Sequence, residues 1–177
     1  MPCPQTLNGI ARDCQSSMGG IRRVLMANFD DVSAMTVTSG VITAITMASH
    51  GTPPVTETFK EYLFRRNTGS LTSAYQVSDT GNNGVQSDLV MVFTRLETTK
   101  RLEVEALAHA EAVAIVEDCN GKFWYLGKDE PLTIADGTNA ATGTARADLN
   151  GYNVALQDHS LELPYEVDAT IIAGLLA

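Results

Sequence analysis

Hydrophobic and polar residues alternate with period two along several stretches of this chain, and Gly, Asn, Asp or Ser bounds each stretch. Tyr152, Val154 and Leu156 point one way, and Asn153, Ala155 and Gln157 the other. Leu161, Leu163, Tyr165 and Val167 repeat the alternation, with Glu162 and Glu166 opposite. Val85, Leu89, Met91 and Phe93 share one side of a further strand, against Gln86, Asp88 and Thr94. Ile21 to Phe29 reads as the first strand. Met35 to Val37 and Val41 to Met47 flank Ser39-Gly40 as a hairpin. Glu57 to Arg66 and Leu71 to Val77 are strands, and Pro131 to Ala135 is a short edge strand. His50 to Pro54, Asp79 to Gly84 and Asp136 to Ala147 are loops or turns, rich in Gly, Pro, Asn and Thr.

Ala112 to Lys128, AVAIVEDCNGKFWYLGK, reads as two strands folded about Asn120-Gly121. A type I′ turn needs φ > 0 at both central residues, which Asn-Gly tolerates. A helix runs into this hairpin from about Thr98 to Ala112. Its apolar stripe is Leu102, Ala106, Ala110 and Val113, with Leu107 and Ala114 beside it, and Thr98 or Thr99 as its cap. The pattern predicts a mainly β fold, a β-sandwich or barrel with one flanking α-helix over about 98–112. It predicts a single structural domain over 1–177, with an N-terminal arm, 1–18, and a C-terminal tail, 168–177. That tail, ATIIAGLLA after Asp168, is apolar and uncharged, so it docks on its own domain or on a neighbour.

The 177 residues are 44% hydrophobic and 19% charged, enough for one globular domain with a real core. No run approaches the ~18 apolar residues of a membrane span. The first residues, MPCPQTLNGIARDC, lack a basic region followed by an apolar run, so no signal peptide is expected. Cys3, Cys14 and Cys119 are an odd, scattered set, pointing to free thiols in a reducing compartment; a Cys3–Cys14 disulfide stays open for a particle released from the cell. The net charge of −9 is uneven. Residues 1–96 carry seven basic and seven acidic groups, whereas residues 117–168 carry three basic and ten acidic groups. Such an acid excess argues against a grip on nucleic acid through phosphate neutralisation, and it also keeps a small domain soluble.

Motifs for chemistry fail on spacing. Asp118-Cys-Asn-Gly and Asp148-Leu-Asn-Gly resemble part of a calcium loop, but Gly127 and Gln157 stand where the bidentate Glu is needed. The cysteines and the histidines His50, His109 and His159 lack zinc-ligand spacing. Nothing favours one Cys–His pair as a nucleophile. The paired carboxylates Glu117-Asp118 and Asp129-Glu130 fall at strand ends, where solvated charge is expected. No enzyme activity and no cofactor are expected. Phe123, Trp124 and Tyr125 are consecutive aromatics on a strand, so they face both sides of the sheet. They read as core plus subunit contact, or as a stacking platform on a carbohydrate- or surface-binding β-sandwich module.

Three features in order then carry a resemblance. Gly19-Gly20-Ile21-Arg22 opens the first strand after an early Cys. A central helix precedes IVEDCNGKFWYLG. Thr142-Gly143 and Asp148-Leu-Asn-Gly-Tyr152 open a strand followed by LELPYEV. In this the chain resembles small virion structural proteins of tailed phages of gut anaerobes and, more loosely, tail tube proteins; a neck or connector ring protein of the same fold is closely related. The resemblance implies subunits joined into rings, usually hexameric, and stacked into a tube, a homo-oligomer within the virion that assembles in the host cytoplasm beside other virion proteins. It implies that DNA passes without specific binding, that no membrane is involved, and that no cofactor is held. An acidic lumen would repel the phosphate backbone. The candidate lumen residues are Asp79, Asp88, Glu162 and Glu166. The candidate subunit contacts are Phe123, Trp124, Tyr125, Ile171, Ile172, Leu175 and Leu176.

Overall fold

The computed structural model describes residues 9–12, 14–79 and 83–176. Strands dominate. In chain order they are β1 (Ile21–Asn28), β2 (Val32–Thr38), β3 (Val41–Met47), β4 (Ser49–His50), β5 (Val55–Thr56), β6 (Lys60–Tyr62) and β7 (Gly69–Val77). There follow β8 (Asn83–Thr94), helix α1 (Thr98–His109), β9 (Ala112–Asp118), β10 (Phe123–Leu126), β11 (Thr133–Ile134) and β12 (Asn139–Ala141). The chain closes with β13 (Gly151–Ser160), β14 (Tyr165–Val167) and helix α2 (Ala169–Leu175).

Two large sheets form. The first has the order β2-β3-β14-β10-β9-β1-β6, the second β11-β13-β8-β7 with β12 also on β13, and β4 and β5 pair by themselves. Each of these orders has two ends, so neither sheet closes into a barrel. They pack on each other as a sandwich. Val24, Met26, Ala114 and Val116 of the first sheet meet Leu89, Met91, Val154 and Leu156 of the second in one core.

The first sheet is covered on its other face too. Leu25, Ile42, Phe59, Val113, Ile115, Phe123, Tyr125 and Val167 build a second core there, closed by Ile172 and Leu175 of α2. Burial on both faces explains why β9 reads AVAIVE, apolar at successive positions rather than alternating. β8 alternates cleanly: Val85, Ser87, Leu89 and Met91 are buried, while Gln86, Asp88, Val90 and Val92 are half-buried. In β13 Tyr152, Val154 and Leu156 are buried as the alternation predicts, but Ala155 on the other side is buried too.

Several sequence expectations need correction. Among the described residues there are two α-helices, where one was expected. The C-terminal tail forms α2, whose Asp168 side chain accepts from the Thr170 backbone N–H at 2.9 Å. Phe59 N–H donates to Leu175 O at 2.9 Å, so the tail docks on its own domain. Helix α1 ends at His109 and is entered from Glu97 with no side-chain cap. Its inward residues are Leu107, buried, and Val104, half-buried, whereas Leu102 is 54% exposed. The expected stripe was anchored on Val113 and Ala114, and these belong to β9, where period two sends them to opposite cores.

Leu161 and Leu163 precede the short β14 and are exposed. Residues 136–147 hold β12. Segment 57–66 contributes only β6 and the bridge of Phe59 to Leu176. Part of the Asp79–Gly84 turn, and Cys3 in the N-terminal arm, lie outside the described residues.

The turn geometry is also exchanged between the two hairpins. Ser39 (φ 52°) and Gly40 (φ 81°) both have positive φ, as a type I′ turn requires. In the β9–β10 turn only Gly121 does, at φ 79°. There the Asp118 carboxylate does the shaping. Its Oδ1 accepts from Asn120 N–H at 2.8 Å and Lys122 N–H at 2.9 Å, and its Oδ2 accepts from the Trp124 indole at 3.2 Å.

Candidate functional site

The seven candidate contact residues separate into two groups. Phe123 and Tyr125, 7% and 2% exposed, lie inside the second core with Ile172 and Leu175. Burial pushes the Tyr125 phenol up from its ordinary value. These four side chains are occupied within the protomer. The others, Trp124, Ile171 and Leu176, are half-buried. A surface platform of three aromatics is therefore reduced to Trp124, whose indole N–H is already engaged by Asp118.

The four candidate lumen acids do not share a face. Asp88 lies on the outer face of the second sheet, where its Oδ1 accepts from Gln157 at 2.9 Å and from Gln86 at 3.2 Å. Asp79 is exposed just beyond β7. Glu166 stands opposite Trp124 in the first sheet and pairs with Lys122 at 2.5 Å. Glu162 pairs with Lys128 at 3.4 Å and accepts from the Tyr165 hydroxyl; Tyr165 and Lys128 hold its carboxyl below the usual range. The two glutamates thus have cations beside them.

Tertiary structure also assembles polar groups that no spacing announces. Glu117, 5% exposed at the end of β9, is clasped by Arg22 at 3.1 Å and by Arg23, whose guanidinium also reaches Glu61 at 2.5 Å. Asp31, 8% exposed, accepts from Asn28 at 2.8 Å and meets His50 Nε2 at 3.2 Å. Asp158, 3% exposed, accepts from the Gly127 N–H at 2.7 Å. Each is a single carboxylate held by donors. Among the described residues no group of three His, Cys, Asp or Glu side chains is placed to hold a metal ion. No described helix is long and apolar enough to cross a membrane.

What the surface does present is strand edge. β7 ends the second sheet and pairs with β8 in nine consecutive registers without a bulge. Its sequence, GSLTSAYQV, has no charge and no proline. Native edges are ordinarily blunted by Lys, Pro or a bulge, because their unpaired N–H and C=O groups template another strand. β2, at the end of the first sheet, is VSAMTVT, likewise uncharged, though its pairing with β3 is interrupted by two register shifts. The absence of charge in both stretches was visible in the sequence; that both lie at sheet ends was not.

No protein-family model, no curated protein and no solved structure matches the chain.

Proposed function

We propose that this chain is a self-assembling structural subunit, a ring or tube protein of the phage tail-tube or neck-ring kind, whose rings surround a conduit for DNA. The observation that carries the reading is β7, a nine-residue strand at a sheet end with no charge, proline or bulge to prevent pairing. Its mate is an edge of an identical copy, and repeated heterologous pairing closes a ring. The outer face of the second sheet lines the conduit in this arrangement. Gln86, Gln157 and Asp88 stand there, polar groups with an acidic one among them, over which phosphate slides without sticking. Glu162 and Glu166, paired with lysines, contribute little to that repulsion.

Solution mass and negative-stain imaging test the reading. The expected result is rings or stacked rings at high concentration. A chain that stays monomeric throughout overturns it. The segment from Thr68 to Gly84 holds β7 and the start of β8, so deleting it would remove sheet. Thr72→Lys with Ala74→Lys, both exposed positions on β7, is the cleaner probe. It should leave the domain folded and abolish rings; intact rings would exclude β7 as the lateral contact.

A further inference from the structure

β10 of the first sheet and β13 of the second come together where the Gly127 N–H reaches Asp158 Oδ2 at 2.7 Å. Two polar atoms at this junction are left over. The Tyr125 hydroxyl and Asp158 Oδ1 are both buried, and among the described residues neither has a hydrogen-bond partner. Tyr125 is 2% exposed and Asp158 3%. Ser87 lies opposite Asp158 in the ladder but makes no hydrogen bond to Oδ1. Burying a polar group without a partner is costly, and native interiors rarely leave one so.

Both side chains line one cavity of about 10 Å³. That is room for about one water molecule. The other polar side chains on its wall are already engaged. Lys128 Nζ lies 3.4 Å from Glu162 and 4.3 Å from the centre of the Tyr165 ring. The Tyr165 hydroxyl donates to Glu162, and Ser160 Oγ donates to Glu162 O at 2.7 Å. Asp129 Oδ2 accepts from Leu161 N–H at 3.0 Å. The side chains that remain to a guest are one donor, the Tyr125 phenol, whose proton burial holds firmly, and one acceptor, the Asp158 carboxylate.

We propose that a single buried water occupies this cavity, accepting from the Tyr125 hydroxyl and donating to Asp158 Oδ1, and so links the two sheets beside the Gly127–Asp158 bond. Water matches both groups because it accepts and donates at once, and it bridges polar atoms too far apart to bond directly. A metal cation does not match. The Lys128 ammonium stands on the wall, and one free carboxylate oxygen falls far short of the six or more oxygens of a calcium shell. An anion would meet the Asp158 charge. The site belongs to the fold of one protomer and is independent of how copies assemble.

A high-resolution crystal structure of the full chain tests the site directly. The expected result is an oxygen peak at roughly 2.7–3.0 Å from both Tyr125 Oη and Asp158 Oδ1. A cavity without density overturns the proposal. So does a Tyr125 hydroxyl bonded directly to Asp158, or a peak ringed by six or more oxygens at about 2.3–2.6 Å, the shell of a calcium ion. Stability supplies an independent sign. Removing a hydroxyl that has no partner should be neutral or stabilising, whereas removing one bonded to a held water is a loss. Tyr125→Phe should therefore lower the folded-to-unfolded ratio roughly threefold to tenfold in urea melts at neutral pH. An unchanged or raised ratio overturns the bridge, and the ring reading is untouched by either result.

Discussion

The Gly127 backbone N–H donates to Asp158 Oδ2 at 2.7 Å, and this bond ties the two sheets together at one end of the sandwich. Gly127 follows the last residue of β10 in the first sheet, and Asp158 lies on β13 in the second. Ser87 faces Asp158 across the β13–β8 ladder, and Ser73 Oγ donates to Ser87 Oγ at 3.0 Å, so a polar row runs from the β7 edge to the sheet junction. Burial raises the Asp158 carboxyl above its ordinary value; donation from Gly127 and Ser87 works against that rise without cancelling it.

A carboxyl raised on folding binds its proton more tightly in the native state, so its charged form is a cost. Asp158 therefore contributes most below the ordinary carboxylate range, and the contribution declines as pH climbs through that range to the raised value. Asp158→Asn keeps an acceptor for Gly127 and should remove this decline, with stability near neutrality within about 1 kcal/mol of the parent. Asp158→Ala strands a buried N–H and should cost about 1–3 kcal/mol. Urea titrations from about pH 4 to 7 distinguish the two.

Asp118 titrates in the opposite sense. Partial burial opposes the change, but the Lys122 N–H, the Trp124 indole and the Asn120 N–H together hold its carboxyl below the ordinary range. Its contribution is present above that range and lost as pH falls through the lowered value. Asp118→Ala should cost about 1–2 kcal/mol at neutral pH, as loss of a side-chain cap does. Trp124 fluorescence should report the loosened turn, and an unshifted spectrum with unchanged stability would contradict this role.

Gly151 begins β13 where a Cβ would stand 2.1 Å from Phe93 O and 2.9 Å from Thr94 Cα. Both obstacles are backbone, so the ladder itself must move. Gly151→Ala should destabilise by at least about 2 kcal/mol, the range for overpacked sites. Thermal melting compared with Gly121→Ala, where no atom lies within 4 Å but φ is positive, separates crowding from backbone strain.

The orientation of α1 gives a direct contrast. Leu107 is 6% exposed and belongs to the core between the sheets, while Leu102 is 54% exposed. Leu107→Ala should cost about 2–5 kcal/mol. Leu102→Glu should change stability by less than about 0.5 kcal/mol. Comparable losses at both positions would mean that the helix is turned the other way.

At Glu117, removal of one partner should hurt more than removal of both. Arg23→Met alone leaves a nearly buried carboxylate with Arg22 as its remaining guanidinium partner, and about 3 kcal/mol is the expected scale for breaking such a pair. Arg23→Met with Glu117→Met should recover much of it. Denaturant melts of the full cycle measure the coupling.

Period-two patterning was enough to show that β8 and β13 are strands and that Val85, Leu89, Met91, Tyr152, Val154 and Leu156 are buried, because alternation records a covered face directly; it did not show that Ala155 is buried as well. The apolar run of β9 before Asn120-Gly121 declared a strand leading into a turn. Local sequence also marked the apolar tail as something that must be covered. What covers it, the second face of the first sheet, depended on Phe59 and Ile42, far away along the chain. Tertiary structure alone decided that Phe123 and Tyr125 are interior, that Leu107 rather than Leu102 faces the core, and that Glu117 and Asp158 are buried with partners. It alone decided which uncharged strands lie at sheet edges. The physical reason is one of range. Alternation and turn chemistry are set by a residue's own backbone and its immediate neighbours. Burial, partnership and edge position are set by which distant strands pair, and a strand's own sequence does not name its mate.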